Sequence, residues 1–279
     1  MYTETDLKDQ LQSIAQNKFS VSPSIEPFEL ALKMVNHIGS PDSQLRDDLI
    51  YTAFATWILE YKLFNGEQLR QLLASVLDDK HMFYCIGEEN TDSVFTRSFS
   101  VLLLPLILIA NREERFLTDT HIQQIKTKLL QYLDGEKDLR GYVEGSGWAH
   151  AVAHVADTFD DLVQCPELEA SDLREILKAI SDKICIGDFP YVHEEDERMV
   201  TAVIRIIERQ LLSEADIEEW IRNFVILLQQ IDPKPESYGH FNVTNFLRSL
   251  YFRAHQKNVA EKLCQTIDET LSEISHFKD

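Results

Sequence analysis

The chain is poor in positive charge. Its 27 lysines and arginines face 47 aspartates and glutamates, a formal net charge of −20 over 279 residues. Nucleic-acid backbones and anionic membrane surfaces are bound by clustered Lys and Arg, so the shortage argues against both as partners. The excess of acid reads first as solubility. A basic partner is the sharper reading, but no concentrated acidic run supports it. Cysteine is equally sparse. Cys85, Cys165, Cys185 and Cys264 form no C-x-x-C pair and lie far apart, which points to reduced, mostly buried thiols and a cytoplasmic protein. The first residues show no basic stretch followed by an apolar one, so no signal peptide is expected. The longest apolar run, Val101 to Ala110, is short for a bilayer and contains Pro105; a buried helix is expected there. Alternation of apolar and polar residues is rare, and no strand is expected.

What remains is helical periodicity on a chain long enough to bury a large core without disulfide or metal. Apolar spacing places an early helix over Asp6 to Lys18, another over Glu26 to His37, and one over Asp42 to Tyr61 with Leu45, Leu49, Ala53 and Trp57 inward. Further helices are expected over Glu67 to Leu77, Thr91 to Ile109 with Thr91 as cap, Thr118 or Thr120 to Leu133, and Gly147 to Cys165. Others follow over Ala170 or Ser171 to Ile184, Glu194 to Leu212, Ser213 to Gln230, Asn242 to His255 and Asn258 to Phe277. A loop holding Pro233, Pro235, Tyr238, Gly239 and His240 separates two of these. First helices of successive pairs begin near Asp48, Asp92, Gly147, Glu197 and Asn242. A spacing of roughly 44 to 55 residues is that of two-helix repeats. The expected fold is therefore all-α: one α-solenoid domain over residues 1–279, of stacked antiparallel helix pairs in the HEAT or armadillo manner, with equivalent loops along one edge. Those loops carry Tyr84 and Glu88, Tyr142 and Glu144, Tyr191 and Glu194, and Tyr238 and His240. They read either as a shared binding surface or as tyrosines packed over helix ends.

Unusual residues concentrate between Arg140 and Asp161. A glycine-rich turn with Tyr142, Glu144 and Trp148 leads toward His150, His154 and Asp157. On a helix starting at Gly147, Trp148, Val152, Val155, Phe159 and Leu162 share one face. His150, His154, Asp157 and Asp161 share the opposite one. Flanking Ala149, Ala151, Ala153 and Ala156 allow close helix approach, so the polar stripe is expected to face a groove. Two histidines one turn apart can chelate a divalent metal, with Asp157 as third ligand or as acceptor for an imidazole N–H. The same residues serve equally as a buried hydrogen-bonded network between helices. Arg97, Arg140, Arg198 and Arg248 recur near carboxylates; they read as a ladder of ion pairs or as a site for a small anionic ligand. Gly141, Gly145 and Gly147 match neither a dinucleotide fingerprint nor a phosphate-binding loop. Ser146 lacks the spacing of a nucleophile elbow, and no cofactor other than a divalent metal is indicated.

The run Arg140-Gly-Tyr-Val-Glu-Gly-x-Gly-Trp-Ala-His-Ala-x-Ala-His-x-Ala-Asp157 resembles the signature of a bacterial family of helical proteins catalogued as a domain of unknown function. Asp196-Glu-Arg198 and the segment from Asn245 to Phe252 are similar to its later motifs. The resemblance covers most of the chain. It implies an all-α, bacterial, cytoplasmic protein and brings no activity with it. The function expected from these features is binding of a protein or peptide along a groove and a loop edge. The alternative is a metal-dependent or acid–base enzyme centred on His150, His154 and Asp157, with Arg140, Tyr142 and Glu144 in support.

Overall fold

A computed structural model describes residues 3–231, 237–257 and 261–277; Pro233 and Pro235 lie outside the described residues. Regular structure among them is helical apart from one two-stranded hairpin. The helices are α1 (Glu4–Gln16), α2 (Pro27–Val35), α4 (Gly66–Val76), α5 (Ser93–Glu113), α6 (Asp119–Gly135), α7 (Ala151–Leu162), α8 (Ala170–Ile184), α9 (Glu195–Glu208), α10 (Glu214–Gln230), α11 (Gly239–Gln256) and α12 (Glu261–Ile274). Between α2 and α4, Gln44–Tyr51, Thr52–Ala55 and Thr56–Glu60 run on without a break, together α3; its first and last segments are π-helical. The chain packs as two compact units, Met1–Thr158 and Phe159–Asp279, divided within α7.

Local chemistry sets several helix starts. Thr3 with Asp6, Asn65 with Gln68 and Ser213 with Asp216 form reciprocal caps, the side chain of each first residue accepting from the backbone of the second. Thr118 pairs with the Nδ1 of His121 in the same manner. Such caps are worth about 1 kcal/mol each. Thr91 is not a cap, contrary to expectation. The cap position is Asp92, and the Thr91 hydroxyl is held by Glu88 and Ser93 instead.

In the first unit, α5 is the central rod, packed against α3 and α4. It is longer than its apolar run implied, and it is long and apolar enough to cross a membrane, but 78% of that stretch is buried within the protein. Pro105 lies inside it. Proline has no N–H for the carbonyl of Val101 four residues earlier. The hydroxyl of Thr158 on α7 approaches that carbonyl at 3.2 Å, while also lying 2.8 Å from the His154 carbonyl. In the second unit α11 packs on α8, α9 and α12, and α12 also covers α10.

The stretch after Arg140 departs most from expectation. No helix begins at Gly147. Tyr142–Val143 (β1) and Gly147–Trp148 (β2) pair as an antiparallel hairpin, Tyr142 opposite Trp148 and Val143 opposite Gly147. Ser146 N–H closes the turn on Val143 C=O at 3.1 Å, with Gly145 in the left-handed region that the third position of such a turn demands. Two further bonds, Ala149 N–H to Gly141 C=O and His150 N–H to Arg140 C=O, extend the hairpin to the foot of α7. A short hairpin carries too little alternating sequence for periodicity to reveal it.

Candidate functional site

The hairpin has an inner and an outer side. Val143 packs inward against Val94, Phe95, Ala149 and Ala151. Tyr142 and Trp148 are 55% and 40% exposed. Their rings meet nearly at right angles, 75° apart with centroids 5.0 Å distant. Trp148 was expected on the apolar stripe of a helix; directly opposite Tyr142 in a strand pair, it is on the surface.

Behind this pair a row of rings runs into the core. Trp148 lies on the His150 imidazole at 4.2 Å, His150 meets His154 edge-on at 6.0 Å, and His154 meets Phe99 of α5 at 5.1 Å. His150 precedes α7 rather than lying on it. Its φ of 49° turns the chain from hairpin into helix, and its carbonyl accepts the N–H of His154. His154 reaches the backbone of α5, its Nδ1 3.1 Å from the Ser98 carbonyl. Both histidines are buried, at 8% and 5% exposure. The expected groove-facing polar stripe followed from the assumed helix start: α7 is buried almost all round, and His150 and His154 are packed rather than displayed. Asp157 is only half-buried. Among the described residues no three His, Cys, Asp or Glu side chains come together to hold a metal ion, so His150, His154 and Asp157 do not form the three-ligand site their spacing implied.

Arg46 completes the support, and nothing in the sequence reading singled it out. The side chain is wholly buried and lies over the rings of Phe95 and Phe99, 4.2 and 4.7 Å from their centroids. It donates to the carbonyls of Ser40 and Ser146, each at 2.7 Å, and to Asp47. Burial pulls the guanidinium below its ordinary range, against the opposing charge of Asp47. Through Ser146 it grips the hairpin turn. Gly147 lets it do so: its φ is 81°, and a Cβ there would lie 2.9 Å from Ser43 Cβ and 3.2 Å from Arg46 Nη2. A signal existed, since Arg46 is in register with Ile50, Ala53 and Trp57 on the buried face of α3.

The arginines divide. Arg97, with no exposed surface, makes a two-pronged pair with Glu136: Nε to Oε2 at 2.7 Å and Nη2 to Oε1 at 2.8 Å. It also donates to the carbonyls of Tyr84, Cys85 and Glu88. Burial lowers its pKa, but hydrogen bonds and charge from Glu136 outweigh that and leave it above the ordinary value. Arg140 grips Asp138 and the Thr91 carbonyl, while Asp138 accepts Asn90 N–H. Glu136 and Asp138, buried acids between α6 and the hairpin, were missed. The ladder reading thus describes Arg97 and Arg140, whose donors serve loop carbonyls and acids. In the second unit Arg198 is half-buried on α9 and Arg248 exposed on α11.

The residues from 82 to 252 match the family described as "Protein of unknown function (DUF2785)". The chain belongs to that family. The matched span takes in Arg97, Arg140, the hairpin and both buried histidines, whereas Arg46 precedes it. No curated protein and no solved structure matches the chain.

Of the four loop tyrosines, Tyr84, Tyr142 and Tyr238 are exposed. Tyr191 is buried, its hydroxyl bonded to the Lys183 carbonyl at 2.9 Å, so there the packing reading holds. Of the four thiols, none is in a disulfide and Cys85 is exposed.

Proposed function

We propose that this protein is a binding module that takes up a protein or peptide segment on the Tyr142–Trp148 hairpin. The observation that carries the proposal is an exposed ring pair held on a rigid base. Large aromatic side chains supply contact area at little entropic cost, and Trp and Tyr dominate binding hot spots. Here Trp148 is backed by His150, the turn is held by Arg46, and Val143 anchors the opposite side. The neighbouring loop, tied down by Arg97 and Arg140, offers Tyr84 and Ile86 on its surface. As part of the same reading, the helix pairs stack in the HEAT or armadillo manner of an α-solenoid, and the protein works in the cytoplasm, where its four free thiols are at home.

Selection from a random dodecapeptide display library tests this. Selected peptides should bind the wild-type protein in calorimetry and lose about thirtyfold or more in affinity with Trp148→Ala, the loss of one hot-spot residue. Circular dichroism should show Trp148→Ala as helical as the wild type, because Trp148 lies outside the helices. Failure to select any peptide, or binding indifferent to Trp148, would overturn the proposal.

A further inference from the structure

Among the described helices only α11 lacks aspartate and glutamate, on a chain with 47 such residues. Its arginines are Arg248 and Arg253, and Lys257 follows its end. Arg253 and Lys257 are engaged with α9. Arg253 donates to the Glu197 carbonyl and the Thr201 hydroxyl, and Lys257 pairs with Glu208. Arg248 is different: it is exposed and makes no hydrogen bond or ion pair among the described residues. At the pitch of an α-helix, Phe241, Arg248 and Phe252 fall within about 40° of one another. Phe241 is 44% and Phe252 61% exposed, and Tyr251 meets the Phe252 ring edge-on at 5.6 Å. Exposed apolar residues scattered singly are ordinary. Two in line on one helix face, with an unpaired guanidinium between them, form a surface that fits a particular partner.

We infer that this face of α11 receives a helical segment of another protein that carries a carboxylate between two apolar side chains. Covering Arg248 without an acceptor would leave a desolvated charge, so the occupant must bring one. A carboxylate matches the guanidinium fork. The backbone of α11 is already hydrogen-bonded within the helix, so an extended segment would find no backbone partners there. A helix arrives with its own backbone bonds made. Along the axis Arg248 lies about 10 Å from Phe241 and about 6 Å from Phe252. A partner helix matches when its acid stands about four residues from one apolar anchor and about seven from the other. A second copy offers no such match through the same face, since neither α11 has a carboxylate for the other's Arg248. A short segment with one acid is little affected by the chain's overall −20, whereas a phosphate polymer or an anionic membrane is repelled. The surface lies wholly within the second unit and holds or fails independently of the hairpin.

Displayed random peptides of about eighteen residues, long enough to form a helix on binding, supply the probe. They are selected on full-length Trp148→Ala protein, so that the hairpin does not compete. Selected peptides should share an acid at the spacing above and become helical when bound. Arg248→Glu should weaken them about tenfold or more, and exchanging the peptide's acid for lysine should restore binding to that variant. Phe252→Ser should cost about thirtyfold, the loss of one hot-spot residue. Both positions are exposed, so circular dichroism should show each variant as helical as the parent. Selection of no peptide, peptides without a shared acid, or peptides indifferent to either substitution would overturn the inference. So would a wild-type dimer in sedimentation velocity that Phe252→Ser dissociates, which assigns the face to a second copy. Capture of the protein by phosphatidylserine vesicles that Arg248→Glu abolishes would assign it to a membrane and overturn the inference equally.

Discussion

The Arg97–Glu136 pair allows the sharpest test of how the loops around the hairpin are held. Take Arg97→Met, which keeps much of the length and removes the charge. It removes the paired charge from Glu136, 1% exposed, which also accepts from the Tyr132 hydroxyl at 2.9 Å and Asp138 N–H at 2.9 Å. It also strips the donor from the carbonyls of Tyr84, Cys85 and Glu88. Breaking a buried pair from one side costs about 3–5 kcal/mol, and the hydrogen bonds from Tyr132 and Asp138 place the loss near the lower end, about 3 kcal/mol. The informative variant is Arg97→Met with Glu136→Gln. A neutral amide needs no counter-charge; its oxygen can accept from Asp138 N–H while its NH2 donates to the Tyr132 hydroxyl oxygen. The double variant should therefore be more stable than the single one, by about 1–2 kcal/mol. Urea unfolding measures this. A Trp220→Phe background leaves Trp57 and Trp148, both in the first unit, as the fluorescent reporters, so unfolding of the second unit does not blur the transition. A loss below about 1 kcal/mol for Arg97→Met, or a double variant no more stable than the single, would refute the claim that the loss of the paired charge sets the cost.

Two further outcomes follow from other buried groups. Glu195 is 1% exposed; one oxygen accepts His193 N–H at 2.8 Å, while Oε1 receives no hydrogen bond among the described residues and has His193 Nδ1 at 4.0 Å. Burial raises its pKa, so the folded state holds its proton more tightly than the unfolded one, and this stability is lost as pH rises through the folded value. Glu195→Gln should melt several degrees above wild type at pH 8, with the gap closing as pH falls toward the ordinary glutamate range near about 4.3; a gap that stays constant with pH contradicts the assignment. Thr158→Val removes the hydroxyl near the Val101 carbonyl and should cost about 1 kcal/mol in urea unfolding. In a Pro105→Ala background the restored N–H can serve that carbonyl, so the same change should cost less; equal costs would show that the hydroxyl does not compensate for the proline.

Helices were legible because apolar spacing is a property of many residues at once. The inward set Leu45, Leu49, Ala53 and Trp57 is buried as its spacing required, and Ser213 caps α10 as its position implied. The hairpin was not legible because two-residue strands leave no period to read, and because Trp148-Ala-His-Ala continues smoothly into a genuine helix. Extending that helix back to Gly147 had a specific consequence. It assigned Trp148 to the core and the histidines to a groove, inverting the true arrangement. Glu136 and Asp138 were hidden for a different reason. An acid among Asp134, Gly135 and Lys137 looks solvated, and only the three-dimensional arrival of Arg97 and Arg140 shows why burying it is tolerable.

The corrected placement changes what the buried polar groups are for. A histidine pair in a groove would be judged by what it could bind or deprotonate. Packed between Trp148 and Phe99, with one ring nitrogen against the Ser98 carbonyl, the same pair is judged by what it keeps still. An exposed tryptophan on a loose loop loses freedom when it binds, and that loss subtracts from affinity. One seated on an imidazole, next to a turn clamped by Arg46 and closed by Gly145, has lost most of that freedom already on folding. The strain of His150 at positive φ and the desolvation of Arg46 are costs the core must offset, and they fall on the residues that hold the ring pair. This concentration of costly features behind one small exposed surface is what supports the proposal that the hairpin, rather than the histidines themselves, is the binding surface.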